Sequence, residues 1–495
     1  MSRTIDAAIG RIEAAESLDL PSYALGKAIS RSVQILGKPA KALGNTLHGR
    51  PHGHPMHPVA VAIPIGTWTL AFALDVLSLA GLRRDRASAQ AADLALKAGA
   101  AGAVVAIATG LADWQHLNGR DRRVGLVHGL VNGTALGLNL LSIRLRSRGS
   151  RAAGQWTSTA AYLCISAGGY LGGHLVYRRK AGVDHADRSP EPRDFRPVLP
   201  FAELRERVPH RVAVWDEVAR KEVGIALVRQ GDRVHAMGAR CSHAGGPLDQ
   251  GWVLDGTLVC PWHGSRYDLE TGQAVSGPST CPQPRYVVRL RDGIVEIKRE
   301  QEPGAETVTA DTLARRPSGE LRRGDVPAAM PDARNGKTAT EVLFEHHELL
   351  RRLFDRTLAT PGENPKRHEL MRTLASELDI HEVIEDAIFY PAVRPVSEDV
   401  EIAYAEHGVL ADLVAATVKL SPASPEFEEH LRALQAAFLH HAGSEERSMF
   451  LEAERLSDER LRELGDKLET MLDNERTSRF RHAFRELKIS LMETI

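Results

Sequence analysis

The sequence predicts a multidomain protein: an α-helical transmembrane bundle, then a compact all-β domain, then an up-down α-helical bundle. Three observations carry this. Residues 1–185 hold 21 Lys and Arg against 10 Asp and Glu, and the remainder 42 against 54, so the net charge of -1 averages two unlike halves. The basic half contains long uncharged apolar runs. Beyond residue 193 short β-branched runs appear, and beyond 337 they give way to Leu-, Ala- and Glu-rich helical periodicity. A length of 495 residues fits two to four domains, and 43% apolar with 26% charged residues excludes a wholly disordered or fibrous chain. Four cysteines exclude a disulfide scaffold. The expected division is an N-terminal helical segment (1–50), a four-span membrane domain (51–182), a β domain (190–300), a linker (301–337) and a helical bundle (338–495).

In the membrane half, residues 58–82 carry one charge, Asp75, while 98–112, 124–143 and 152–177 carry none. A bilayer core takes about 20 apolar residues in a helix, so four spans are expected. The second reaches back over Asp93 and Lys97. Arginine groups from Arg83 to Arg86, Arg120 to Arg123, Arg144 to Arg151 and Arg178-Arg179 bracket the runs, as interfacial loops require. The alternative is a soluble bundle; Gly102, Ala103, Gly168 and Gly172 suit close helix contacts in lipid. Met1–Gly10 lacks the apolar core of a cleavable signal. Segment 22–36 is modestly amphipathic, fit either for a membrane surface or for a soluble helix.

Four spans put both termini on one side. His54, His57, His128 and His174 all fall at that face, with Asp113, Trp114 and His116. Polar groups at membrane depth default to functional hypotheses: here haem or metal binding, a proton relay, or histidines satisfied by water and headgroups. Nine Lys and Arg flank the membrane on that side against seven on the other, which leans to a multi-pass cell-membrane protein with cytoplasmic termini and soluble domains. Gly53-His54-Pro55-Met56-His57-Pro58 resembles the opening motif of an uncharacterised four-span bacterial membrane family, over roughly residues 50–180. That resemblance fixes no chemistry.

In the β domain, Cys241-Ser242-His243 is followed after 16 residues by Cys260-Pro261-Trp262-His263. Two loops that each offer a thiolate and an imidazole suit a [2Fe–2S] centre with two sulfur ligands on one iron and two nitrogen ligands on the other. A structural Cys₂His₂ zinc site is the alternative. The surroundings resemble the Rieske family over about 193–299, including Gly245-Gly246-Pro247-Leu248, Gly264, Tyr267-Asp268, Thr271-Gly272 and Gly277-Pro278. The resemblance implies that Cys241 and Cys260 hold one iron, and His243 and His263 the other. Respiratory members add a disulfide between the loops, where this chain has Gly246 and Trp262. Ser265 and Tyr267 match the hydroxyls that tune the cluster in that branch. A ring-hydroxylating oxygenase needs a further mononuclear-iron domain, for which the chain has no room.

The tail breaks at Pro361-Gly362, Pro391–Pro395 and Pro422–Pro425 into helices expected at 338–359, 364–390, 398–420 and 425–456, with 458–492 as a fifth. His381–Glu385 and His441–Glu445 are HxxxE pairs, each placing imidazole and carboxylate on one helix face. Facing helices supply di-iron ligands in this way; a lone pair of that kind is more often an exposed contact. The pattern resembles the hemerythrin-like cation-binding family over about 338–457, through Glu345-His346-His347, His381 to Glu385, Phe389-Tyr390-Pro391, Glu406-His407, and His441 with Glu445-Glu446. The resemblance implies an up-down bundle binding two irons through His347, His381, Glu385, His407, His441 and Glu445, with Glu382 as an extra candidate. Register favours His347 over His346, and His441 over His440. Oxygen-carrying members have another histidine where this chain has Ala411.

Two readings follow. The first is a membrane-anchored iron–sulfur oxidoreductase or electron-transfer protein, passing single electrons between a membrane or protein donor and a di-iron centre. The second is a sensor of oxygen, nitric oxide or iron, or an iron-binding protein. No GxGxxG follows a strand, so electrons come from a redox partner protein or quinone. Membrane lipids are expected partners and nucleic acid is not.

Overall fold

Uncharged runs bounded by arginine leave a chain no choice but helix in an apolar medium, since every backbone group must be satisfied internally. In the computed structural model, residues 2–216, 219–300, 337–397 and 399–494 are described. Helices α1 (Ser2–Glu13) and α2 (Asp19–His48) precede four long helices, α3 (His57–Leu79), α4 (Arg86–Trp114), α5 (Gly119–Ser147) and α6 (Arg151–Gly173). Among the described residues α3, α4 and α5 are long and apolar enough to cross a membrane. In α6, Gln155, Thr157, Ser158, Thr159 and Ser166 dilute the apolar run. Val59, Ile63, Leu70, Val104, Leu130 and Leu140 face outward, an apolar surface that asks for a lipid solvent.

Inside this bundle, close approach and charge pairing decide the packing. A Cβ on Gly99 would sit 2.2 Å from Trp68 Nε1, so only glycine lets α3 and α4 touch there. Asp75, the lone charge of the first apolar run, accepts from Arg146, from Ser158 Oγ at 2.9 Å and from Gln155 Nε2 at 3.3 Å. Arg146 also reaches Asp93 at 3.0 Å. The costly charges are thus neutralised together at one end of the helices.

The β domain comprises β1 (Arg196–Pro200), β2 (His210–Asp216), β3 (Lys221–Gln230), β4 (Arg233–Gly238), β5 (Trp252–Leu254), β6 (Thr257–Val259), β7 (Arg266–Asp268), β8 (Ala274–Ser276), β9 (Tyr286–Arg291) and β10 (Ile294–Arg299). They form three antiparallel sheets ordered β1-β10-β9, β2-β3-β4 and β5-β6-β7-β8. The apolar run 253–259 is a hairpin rather than one strand: Asp255 and Gly256 take φ of 48° and 68° and reverse the chain.

The expected linker lies outside the described residues except for Lys337. Thr338 then closes a capping box with Glu341 and starts α7 (Ala339–Ala359). Next comes α8 (Pro365–Ile384), continued through a wide π turn at Glu385–Phe389 into α9 (Tyr390–Val393). Helix α10 (Val400–Thr417) follows, then α11 (Pro425–Ser444), which passes through a second π turn at Glu445–Met449 into α12 (Phe450–Ala453). The expected fifth helix is two, α13 (Asp458–Thr477) and α14 (Arg479–Thr494), because Ser478 is extended. Helix α14 folds back along α8, where Arg372 binds Glu486 at 2.5 Å and Glu493 at 2.6 Å.

The modules interlock. Trp252, Leu254 and Val259 of the β domain share a core with Phe427, Leu431 and Leu434 of α11. Helix α2, which holds the amphipathic segment 22–36, lies against the soluble bundle: Tyr23 stacks on Tyr404 at 4.6 Å, and Lys27 binds Glu382 at 2.7 Å. The side of the membrane helices carrying the α4–α5 connection meets both soluble modules.

Removing one partner of a buried ion pair strands the other, at about 3–5 kcal/mol. Arg146→Met is expected to destabilise the detergent-solubilised protein by that order. Adding Asp75→Asn should recover most of the loss, as read by thermal unfolding.

Candidate metal centres

The β4–β5 and β6–β7 loops bring Cys241, His243, Cys260 and His263 together. Cys260 N donates to Ser265 O at 2.8 Å and Cys241 N to Gly246 O at 2.8 Å, which folds each loop around its own sulfur. A Cβ at Gly246 would lie 2.9 Å from Cys260 Sγ and 3.0 Å from Trp262, so the loops close only over glycine. The His243 and His263 rings are 4.9 Å apart at 83°. Tyr267 Oη lies 3.1 Å from Cys241 Sγ and 3.0 Å from Ser242 Oγ, whereas Ser265 Oγ accepts from Ser279 N at 3.2 Å. All four cysteines are free.

The electrostatics suit a cluster. Burial raises the Cys241 thiol, but hydrogen bonds from Cys260, Tyr267 and the backbone N–H groups of His243 and Ala244 outweigh it and bring the thiol down to about 7. Burial pushes His263 down to about 4 and His243 well below the usual range, which keeps both imidazoles neutral, the form that binds iron. His243 Nδ1 is buried without a hydrogen-bond partner, an unmet donor position where a metal fits. Outside these loops, Asn118 Nδ2 lies 3.2 Å from His263 Nε2, and the His116 ring is 6.0 Å and 6.3 Å from His243 and His263.

In the helical bundle, α7, α8, α10 and α11 each turn one histidine inward. His347 Nε2 and His381 Nε2 are 3.1 Å apart, and His407 Nε2 and His441 Nε2 are 3.3 Å apart. Glu385 lies between the two pairs, with Oε1 3.4 Å from His381 Nε2 and Oε2 3.1 Å from His407 Nε2. Glu445 Oε2 is 3.3 Å from His347 Nε2. Both glutamates open the π turns, which are frequent at functional sites because the extra residue re-aims a side chain. The side chains of all six residues are buried, and Glu385 Oε1 and Glu445 Oε2 lack any hydrogen bond. Buried carboxylate oxygens facing imidazole nitrogens fit two cations, one per histidine pair.

Carboxylates hold the far edge of three of these imidazole rings, fixing ring orientation. His347 Nδ1 meets Glu446 at 2.8 Å, His407 Nδ1 meets Asp386 at 3.1 Å, and His441 Nδ1 meets Glu406 at 3.0 Å. Burial opposes a proton on His407, yet Asp386 and Glu385 raise it to about 9. His346 Nε2 turns away to Glu377 at 3.0 Å and His440 Nε2 to Glu406 at 3.1 Å. Glu382 binds Lys27. Ala411 lines a cavity that reaches His381 and His407 beneath Ile489 and Met492 of α14.

Sequence reasoning assigned no role to Tyr390, Glu406, Asp386 or Glu446. Tyr390 Oη donates to Glu445 at 2.7 Å and lies 3.1 Å from His407 Nε2. A usable signal existed: Asp386 and Glu446 each follow the glutamate of an HxxxE pair, and Glu406 precedes His407.

The four membrane histidines do not converge. His57 and His128 meet edge-on at 6.3 Å, but His57 Nδ1 is engaged by Ala106 O at 3.0 Å and His128 Nδ1 lies 2.9 Å from Gly168 O. His174 pairs with Glu13 at 3.0 Å, and His54 is exposed. Among the described residues no set of three metal donors forms there, so nothing supports haem in the membrane domain.

Three family models match in chain order: the predicted membrane protein family DUF2231 over residues 53–185, the Rieske [2Fe-2S] domain over 194–287 and the hemerythrin HHE cation binding domain over 338–453. An uncharacterized protein of Mycobacterium tuberculosis is 32% identical over 142 residues, covering 28% of this chain and 88% of that one. The anthranilate 1,2-dioxygenase ferredoxin subunit of Burkholderia cepacia is 40% identical over 85 residues, 17% of this chain and 79% of that one. Among solved structures, a hemerythrin HHE cation binding domain-containing protein of Mycobacterium kansasii is 29% identical, covers 32% of this chain and 99% of its own, and superposes with a TM-score of 0.30.

Two outcomes are expected. Reduced protein should give the paramagnetic signal of a histidine-ligated [2Fe–2S] cluster, and His243→Ser or His263→Ser should abolish it; zinc without sulfide in anaerobic preparations would refute this. Metal analysis should find two further irons, lost in part on His381→Ala or His441→Ala but retained on His368→Ala or His430→Ala. Iron loading should weaken as pH falls, because ligand protons must leave.

Proposed function

Since the chain belongs to the Rieske [2Fe-2S] and hemerythrin HHE cation binding families, joined behind a DUF2231 membrane domain, we propose that it is a membrane-anchored iron–sulfur oxidoreductase passing single electrons between a membrane or protein donor and a di-iron centre. Cys241, Cys260, His243 and His263 hold the cluster; His347, His381, Glu385, His407, His441 and Glu445 hold the irons. When bound, these groups supply one-electron carriage and a second redox centre reactive toward small oxidants.

One observation carries the reading. Glu406 on α10 accepts from His441 Nδ1 at 3.0 Å and from His440 Nε2 at 3.1 Å, and its charge also acts on His263 of the other site. A Cβ on Gly264, beside His263, would stand 3.5 Å from Val409 on the same helix. One helix layer therefore separates the two ligand sets. Glu406 orients His441, Tyr390 holds the outer oxygen of Glu445, and Phe438 and Phe450 pack on His347, with Phe354 stacked on Phe438, so that apolar rings keep water from the site. Asn118 and His116, from the α4–α5 connection, close the Rieske-side imidazoles from the membrane face. The donor is a redox partner protein or quinone, and the termini and soluble modules lie in the cytoplasm.

The test is transfer within the intact chain. Reducing the cluster should reduce the di-iron centre without an added mediator, at a rate independent of protein concentration. Glu406→Gln, which keeps an acceptor for His441 Nδ1 but removes the charge between the two sites, should slow that step at least tenfold, read per molecule that retains both metal centres. Independent titration of the two centres would instead favour the iron-binding or sensing reading.

A further inference from the structure

Helix α2 ends at His48, and a short turn (Arg50–His52) leads from it toward α3. The turn lies at the sulfur–nitrogen site. The His48 ring is 5.2 Å from His116, which in turn packs on His243 and His263. Within the turn, Nε, Nη1 and Nη2 of Arg50 are all buried, and none has a hydrogen-bond partner among the described residues. Five donors on one guanidinium normally find acceptors when buried. Burial pulls this group down to about 10, and its electrostatic neighbour is the phenol of Tyr267, whose Oη lies 3.1 Å from Cys241 Sγ.

A buried cation with no anion is costly unless one arrives. Two ferric ions, two sulfides, two thiolates and two neutral imidazoles sum to an uncharged centre, and one added electron makes it an anion. The missing counter-charge at Arg50 is thus present only in the reduced state.

We propose that Arg50 is the counter-cation of the reduced Rieske cluster, supplied by the N-terminal segment, and that it sets the cluster's reduction potential. Tyr267 acts on the same sulfur by hydrogen bonding; Arg50 acts by charge. The membrane-side segment therefore tunes the centre without ligating it. This rests on cluster binding and is independent of where the electron goes next.

The test is a potentiometric titration of the full-length protein, followed through the reduced cluster's paramagnetic signal. A unit charge at roughly 10 Å in a protein medium shifts the equilibrium by about tenfold, or about 59 mV for one electron. Arg50→Gln should lower the potential by that order with the line shape unchanged, and Arg50→Lys should stay near the parent. Arg50→Met removes the charge without leaving buried donors unmet and should lower the potential by the same order. An assembled cluster with unchanged potential in Arg50→Gln overturns the proposal, and if that variant fails to assemble, an unchanged potential in Arg50→Met does so. Absence of the signal in the parent protein would instead be a failure of cluster binding.

Discussion

A carboxylate taken out of water must be met by cations or donors, and Glu385 is met by imidazoles from four helices. That requirement organises the tail. Each of α7, α8, α10 and α11 must pass close enough to turn a histidine toward one point, which fixes their mutual register more tightly than apolar packing alone. The leucines and phenylalanines around the site, Leu350, Phe354, Leu374, Leu434 and Phe438, then supply the burial that makes the polar centre tolerable. The outer carboxylates Asp386, Glu406 and Glu446 continue the pairing outward to Lys27, His440 and Arg351. Through Asp386 and Lys27 the charge network reaches from the metal site to α2 of the N-terminal segment.

The same logic governs the other two modules with different partners. In the membrane helices, Asp75 is tolerated because Arg146 and two polar side chains surround it. In the β domain, the backbone N–H groups of His243 and Ala244 and the Tyr267 phenol favour charge on the Cys241 sulfur, while burial and the neighbouring Cys241 push the Cys260 thiol well above its usual range. Arg50 stands out among the described residues because all three of its guanidinium nitrogens are buried without a hydrogen-bond partner.

Legibility in the sequence followed locality. Cys241-Ser242-His243, Cys260 to His263 and the two HxxxE pairs lie within a few residues each, so their chemistry could be read in the chain, and His347 was separable from His346 by register. Glu406 and Glu446 sit beside residues the motifs single out, but the partners of Glu406, Glu446 and Tyr390 lie 35, 99 and 55 residues away, so what each side chain meets is not legible locally. The strands β7 and β8 are three residues long, too short for an alternation signal. The hairpin within 253–259 was legible, because Asp255-Gly256 between apolar residues is itself a turn signal. The break at Ser478 carries neither Gly nor Pro; Ser478 Oγ caps α14 by accepting from Arg481 N at 3.4 Å, and α14 then runs back along α8. The amphipathic face of α2 was visible, but its partner, the acidic edge of a module some 360 residues later, was not.

The core shared by Trp252, Leu254 and Val259 with Phe427, Leu431 and Leu434 has a mechanical consequence. Modules that divide one hydrophobic interior are not beads on a string, and their separation would expose apolar area on both sides. Their encounter is therefore not governed by how far a tether lets them diffuse. The spacing of the two sites is set by that shared core rather than by the length of the 301–337 segment. Unfolding either module would strip the other of part of its core, which couples their stabilities.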